Sequence, residues 1–170
     1  MKRGLLAGVR SRLFQVLALY APGGNSVRVA LHRLRGVHVG DGTWIGFDVL
    51  IEPMFPHRVS IGDRVSVGMR VLILAHAHQE GDQERGDDRI WVRIEDDVFI
   101  GPGAMIMPNV TLGAGCVVAA GSVVTRSVAP LTMVQGNPAK PVARCGIPLG
   151  FDTPVKDFYR RLTPIDGAGD

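Results

Sequence analysis

Residues 94–128 read IEDDVFIGPGAMIMPNVTLGAGCVVAAGSVVTRSV, and the period of this stretch decides the fold. Aliphatic residues recur every six positions, at Ile94, Ile100, Ile106, Leu112, Val118 and Val124. Four residues after each stands a second small or β-branched side chain: Val98, Ala104, Val110, Cys116, Ser122 and Val128. A period of six fits neither an α-helix at 3.6 nor an amphipathic strand at 2. It fits a short strand followed by a turn, with three such units closing a triangular coil. Two inward residues per hexad then fill the coil interior.

The same series extends toward the N-terminus through Val39, Ile45 and Ile51, then Ile61, Val67 and Ile73, with Val65, Val71 and Ala77 in the second inward position. Gly follows the aliphatic residue at 40, 46, 62, 68, 101 and 113. These glycines are expected to supply the backbone angles that tight turns require. Segments 61–78, 94–111 and 112–129 read as full coils, and the earlier coil, 39–60, carries extra residues within Glu52–Ser60. An ordinary β-sandwich with Gly-rich turns is the alternative. Twelve hexads in register count against it. The period alone does not set handedness, since crossovers between parallel strands are normally right-handed.

The flanks follow other rules. Leu6, Val9, Leu13, Val16, Leu17 and Tyr20 have three/four spacing, so residues 4–20 read as an amphipathic helix. Pro22-Gly23-Gly24 stops it, and Asn25 or Ser26 is placed to cap a second helix through Leu34. Near the C-terminus Thr153 is a candidate N-cap with Pro154 at the first helical position. Val155, Phe158, Tyr159 and Leu162 would line one face of that helix. Such helices are expected to cover the end coils, which otherwise present open strand edges. The first helix, with Arg10 and Arg12, is alternatively placed to lie on an anionic membrane surface. The chain thus divides into a helical segment 1–36, a β-helix 37–144 and a tail 145–170 with a short helix.

Composition narrows the function classes. The chain has 170 residues, 46% of them apolar, with 22 Gly and 11 Pro, which suits one domain with many turns around an aliphatic core. A net charge of +3 without a basic, aromatic-interleaved stripe gives no case for nucleic acid. Two cysteines, Cys116 and Cys145, make neither a disulfide framework nor a Cys-rich zinc site, and suit a reducing cytoplasm. No apolar run is long enough to span a bilayer. Leu13–Ala21 follows a basic start, but its run is short and its cleavage site poor for a signal peptide, so a cytoplasmic location is expected.

The repeat breaks once, after His78. Residues 79–91 (QEGDQERGDDRIW) are polar, charged and glycine-containing, and a long excursion from a regular scaffold commonly carries function. With Ala77 facing inward, His78 faces out at the base of that loop. An imidazole, with an ordinary pKa of about 6.5, suits general-base work near neutrality. A surface histidine without a role is the alternative, and the more natural one for His76. A catalytic zinc usually takes three protein ligands. His76 and His78 would need a third that the sequence does not supply, so no metal is expected.

The repeats, the loop at His78 and the run IGPGAMIMPNVTLGAGCVVAAGSVVTRSVAPLTMVQGNPAKPVAR (100–144) resemble the hexapeptide-repeat acetyltransferases, in particular the maltose/galactoside and cell-surface-sugar O-acetyltransferases. The resemblance covers roughly 36–144 and implies a left-handed parallel β-helix, an all-β solenoid. It also implies acetyl-CoA as cosubstrate and a homotrimer with active sites between subunits. It makes His78 the base that deprotonates the acceptor hydroxyl, which then attacks the thioester directly. Ala120 matches a position near the pantetheine arm and Phe99 one where many relatives have Trp. Thr125, Arg126 and Lys140 match positions near the nucleotide end, with Arg144 close by. Asp48 and Glu52 lie one coil before His78, and either is placed to meet the acceptor. Glu52 is also placed to orient the His78 imidazole, or to be a solvated surface carboxylate. Relatives commonly carry Asn where this chain has Gly46, and His-Pro where it has His78-Gln79. The acceptor is therefore expected to differ, with Met54 and Phe55 of the Pro-Met-Phe-Pro insertion (53–56) shaping selectivity. A sugar or polyol hydroxyl leads. Serine, an antibiotic or an amino sugar comes next, and a metal-dependent carbonic anhydrase on the same scaffold is the reading from another class.

Overall fold

A computed structural model of the chain describes residues 5–76 and 91–165. Helices α1 (Leu5–Tyr20) and α2 (Val27–Arg35) precede a parallel β-helix. Its first coil is β1 (His38–Val39), β2 (Trp44–Ile45) and β3 (Leu50–Ile51), and its second is β4 (Val59–Ile61), β5 (Ser66–Val67) and β6 (Leu72–Ile73). The third is β7 (Val92–Ile94), β8 (Phe99–Ile100) and β9 (Met105–Ile106), and the fourth is β10 (Val110–Leu112), β11 (Val117–Val118) and β12 (Val123–Val124). The first face stacks β1-β4-β7-β10, the second β2-β5-β8-β11 and the third β3-β6-β9-β12. Each member of the aliphatic series sits directly on its counterpart one coil away, as in the register Ile45↔Val67, Val67↔Ile100 and Ile100↔Val118. All twelve are buried, the most exposed being Val39 at 4%. The second inward positions are buried too, from Val65 to Val128, while Ala77 lies outside the described residues.

The glycines do a different job from the one expected. Those after the aliphatic residue do not have positive φ. At Gly101 a Cβ would stand 2.5 Å from the Ala120 backbone nitrogen, and at Gly68 2.6 Å from that of Pro102. They permit close stacking of successive corners. The left-handed residue is the fourth of the hexad: Gly42, Asp48, Arg64, Arg70, Asp97, Gly103, Asn109, Gly115 and Gly121. That position favours Gly, Asn and Asp because a short or absent side chain tolerates positive φ.

The N-terminal end of the coil is capped by side chains. An end coil leaves strand carbonyls without a neighbouring rung. Arg28 donates to Ile45 O at 2.7 Å, Arg33 to Val39 O at 2.9 Å, and Gln15 to Val49 O at 3.1 Å. Arg35 reaches Ser11 O, Ile51 O and Glu52 O, all at 3.0 Å. Charged donors make such bonds worth about 1.5–3 kcal/mol each. Arg35→Leu is therefore expected to cost about 3 kcal/mol of stability, measured by urea denaturation, because it orphans several buried carbonyls at once.

His32 lies wholly buried in this cap. Burial first, then the charges of Arg35 and Arg28, lower its pKa to about 3. Between pH 6.5 and about 3 the unfolded chain binds a proton there that the folded chain refuses, so stability falls as pH falls, by about 1.4 kcal/mol per unit. His32→Phe is expected to flatten the upper part of the acid limb in denaturation midpoints between pH 7 and 5.

Two terminal expectations are corrected. Residues 5–20 are helical, but Val9, Leu13, Val16, Leu17 and Tyr20 face away from the body, and Ser11, Gln15 and Ala18 are the buried side. The C-terminal helix α3 is Val155–Arg160, begins after Pro154 rather than at it, and buries only Phe158. Val155 and Tyr159 are exposed, and Leu162 belongs to a strand, β15 (Leu162–Pro164). The second face continues through β13 (Thr132–Gly136), parallel to β11, then β14 (Ala139–Cys145) and β15, both antiparallel. Phe158, Cys145 and Val117 form a small second core against Phe99, Met133 and Leu162.

Candidate active site

The first coil leaves the third face at Glu52, whose side chain is fully buried although it bears a carboxylate. A buried charge persists only when its lone pairs are used. Oε1 accepts the N–H groups of Met54 (2.9 Å) and Phe55 (3.0 Å), because the inserted segment turns back over the side chain into a 3₁₀ turn at Pro56–Arg58. Oε2 accepts the Ala75 N–H (2.7 Å) and lies 2.7 Å from His76 Nδ1. Burial by itself pushes the Glu52 carboxyl up. The His76 bond and the N–H groups of Phe55, Ala75 and Met54 outweigh it and hold the pKa below the usual range. The ionised carboxylate can only accept, so His76 Nδ1 carries the proton of this bond, and among the described residues Nε2 has no partner. The His76 side chain is 26% exposed.

This pair is not the arrangement expected from sequence. A solvated Glu52 is excluded, and its carboxylate is engaged by His76, the histidine assigned no role. The sequence carried one signal for this. Glu52 directly follows the aliphatic residue of the third face, where later coils have Leu74, Met107 and Thr125, and it is the only acid at that corner. His78 itself, with Ala77 and residues 79–90, lies outside the described residues. The chain re-enters them at buried Trp91, whose backbone N–H donates to Arg58 O at 2.8 Å. The Arg58 guanidinium is stacked between the rings of Phe55 (4.5 Å) and Trp91 (4.7 Å), so the insertion and the return from the excursion are clamped together. Phe55 also stands 6.4 Å from the His76 ring, whereas Met54 is exposed.

The other candidates fall on two edges of the prism. The edge of Glu52 and His76 continues through the bonds Glu52 N–H to Ile73 O, Leu74 N–H to Ile106 O and Met107 N–H to Val124 O. It ends at exposed Thr125 and Arg126, three rungs away, or roughly 14 Å at strand spacing. The edge between the second and third faces carries Asp48, Arg70, Pro102 and Ala120, stacked by similar bonds. Asp48 and Glu52 are thus at opposite ends of β3. Asp48 instead lies 3.6 Å from Arg70, an exposed pair of little energetic weight. Ala120 is exposed at its corner, and the Gly136 N–H donates to Ser122 Oγ at 3.2 Å, which holds the start of the 136–139 turn at Ser122. Lys140 is exposed next to that hairpin, and Arg144, at the far end of β14, bonds Thr132 Oγ1 at 2.9 Å. Phe99 is half-buried in the second core. Burial pushes the Cys116 thiol up to about 12 and raises that of Cys145 as well, so neither is a nucleophile at neutral pH. Among the described residues no group of three His, Cys, Asp or Glu is placed to hold a metal ion.

Comparison with known proteins agrees with this scaffold. The sequence pattern of the Bacterial transferase hexapeptide (six repeats) family matches residues 92–126. Galactoside O-acetyltransferase of Escherichia coli is 28% identical over 61% of this chain and 52% of its own length. Serine acetyltransferase 4 of Arabidopsis thaliana is 35% identical over 62% of this chain and 29% of its own. The chain thus spans about half or less of the length of these curated relatives. A solved hexapeptide-repeat containing acetyltransferase of Vibrio cholerae, complexed with acetyl coenzyme A, is 27% identical, covers 82% of this chain and 87% of its own, and superposes with a TM-score of 0.64. Stacked hexads, three parallel faces and these likenesses together make the chain a hexapeptide-repeat protein folded as a left-handed parallel β-helix.

Proposed function

We propose that this chain is an acetyl-CoA-dependent O-acetyltransferase that moves an acetyl group to a hydroxyl of a sugar or related polyol. The likeness to acetyltransferases supports the donor. The observation in this chain that carries the chemistry is the buried Glu52–His76 pair, two residues before His78. His78 is the general base in this reading. It takes the proton of the acceptor hydroxyl while the oxygen attacks the thioester carbonyl; the C–S bond breaks and CoA leaves as the thiol. A backbone N–H near the thioester stabilises the oxyanion. Glu52 and His76 fix the backbone two residues before His78.

The donor lies along the later coils. Ala120, with small neighbours at 119 and 121, lets the pantetheine arm approach the backbone. Thr125, Arg126, Lys140 and Arg144 present exposed groups to the phosphates. Two prism edges separate these residues in one chain, which suits a site shared between neighbouring copies of a homotrimer. The outward column of the third face, Leu50, Leu72, Met105 and Val123, is apolar and partly exposed, as an interface requires. Met54 and Phe55 contribute to the acceptor side. Free, buried Cys116 and Cys145 suit a cytoplasmic protein.

Thiol release from acetyl-CoA across a panel of sugars, serine, amino sugars and chloramphenicol tests this reading. Turnover with a saccharide is expected, and turnover with none of the panel would overturn it. Met54→Ala is expected to change the ranking of acceptors while the KM for acetyl-CoA stays constant, read from the same assay.

A second reading has its own observation. His76 is the imidazole with a carboxylate on Nδ1 and a free Nε2, the arrangement that activates an imidazole as base. In that case His76, not His78, removes the proton.

A further inference from the structure

Helix α1 turns the wrong side outward for a soluble surface. Val9, Leu13, Val16, Leu17 and Tyr20 are 58, 55, 59, 48 and 71% exposed, and at 3.6 residues per turn they form one continuous stripe. The opposite side is small or polar: Ser11, Gln15 and Ala18 are buried. Two bonds hold this rotation. Gln15 Nε2 donates to Val49 O at 3.1 Å, and Arg35 Nε donates to Ser11 O at 3.0 Å. Rolling the helix to bury its leucines would break both. The helix is therefore fixed to the coil by its polar side, with its apolar side free for another partner.

Charge identifies the partner. The helix contains no acidic residue. Arg12, three residues after Val9 and four before Val16, borders one margin of the stripe. Arg10, three residues before Leu13, borders the other, and both arginines are exposed. A second copy packed on this stripe would bring arginine margins against arginine margins. Anionic headgroups would instead meet both margins while the acyl region takes the leucines, and Tyr20 is a side chain suited to that boundary.

We propose that α1 docks the protein on the surface of an anionic lipid bilayer. The helix lies in the plane of the interface, with Val9, Leu13, Val16, Leu17 and Tyr20 inserted and Arg10 and Arg12 among the phosphates. It does not span, and no helix among the described residues is long and apolar enough to cross a membrane.

Sedimentation of the full chain with vesicles tests this, using phosphatidylcholine alone against phosphatidylcholine mixed with phosphatidylglycerol. Binding to the mixed vesicles is expected, weakening as salt is raised. Arg10→Gln with Arg12→Gln should lower the partition coefficient about 25-fold, at roughly fivefold per basic residue near an anionic surface. Leu13→Gln with Leu17→Gln should remove binding to both kinds of vesicle. All four positions are exposed, so each double variant should keep the parent melting temperature. Equal partition of parent and leucine variant, or no preference for the anionic vesicles, overturns the proposal. Light scattering supplies the remaining arm. If the leucine variant loses a subunit assembly that the parent has, and the parent ignores vesicles, the stripe belongs to a second copy and the proposal is wrong.

Discussion

His78→Ala is expected to lower kcat for acetyl transfer by several hundredfold or more, within the 10²–10⁴ that a general base typically contributes. Alanine leaves the acceptor hydroxyl, with a pKa far above neutrality, to lose its proton to water. The KM for acetyl-CoA should hold, because the residues proposed to bind the donor lie on later coils. His76→Ala should cost less, about tenfold, if it serves only to fix the backbone before His78. Stopped assays of thiol release with both variants separate the two readings. A variant at 78 that turns over like the parent, beside one at 76 that does not, moves the base to His76 and overturns the first assignment.

Glu52→Ala is expected to have the second-largest effect, on stability and on activity together. Its carboxylate accepts from Met54, Phe55, Ala75 and His76, and alanine replaces none of these bonds. Leaving buried donors unpaired costs about 1–3 kcal/mol for each fully desolvated group. Only some of the four are deep, so a loss of about 4 kcal/mol is expected in urea denaturation. Glu52→Gln should recover little, since an amide has one accepting oxygen and its NH₂ would face an N–H donor. The pH dependence gives an independent reading. The Glu52 pKa is lower folded than unfolded, so its contribution is full above the unfolded value of 4.5 and is lost as pH falls through the folded value. In the parent, acid therefore acts first through His32 and then, below about 4.5, through Glu52 as well. The Gln variant should lack the second part.

The coil was legible because its information is local. Each hexad needs an aliphatic residue, a small second inward residue and one position that tolerates positive φ, and residues 94–128 state all three without help from the rest of the chain. What lies between coils was harder to read. The role of Gly101 depends on the Ala120 backbone one rung away, a distance that sequence spacing does not express. Ala75 is buried although the hexad rule gives it no inward place, because its N–H is committed to a carboxylate from the preceding coil.

By itself, the sequence determined the repeat, the number of coils, the face that each core residue takes and the place where regularity ends. Tertiary structure alone decided that Glu52 is buried and bound to His76, that arginines from α2 satisfy the open edge of the first coil, and that α1 shows its leucines to the outside. The physical reason is common to all three. Periodicity reports which side chains are apolar and how they alternate, whereas the rotation of a helix, the capping of an edge or the fate of a carboxylate depends on hydrogen-bond partners in other elements of the chain. Gln15 on Val49 and Glu52 on His76 are two such bonds, 34 and 24 residues apart, and each overrides what its own segment would predict.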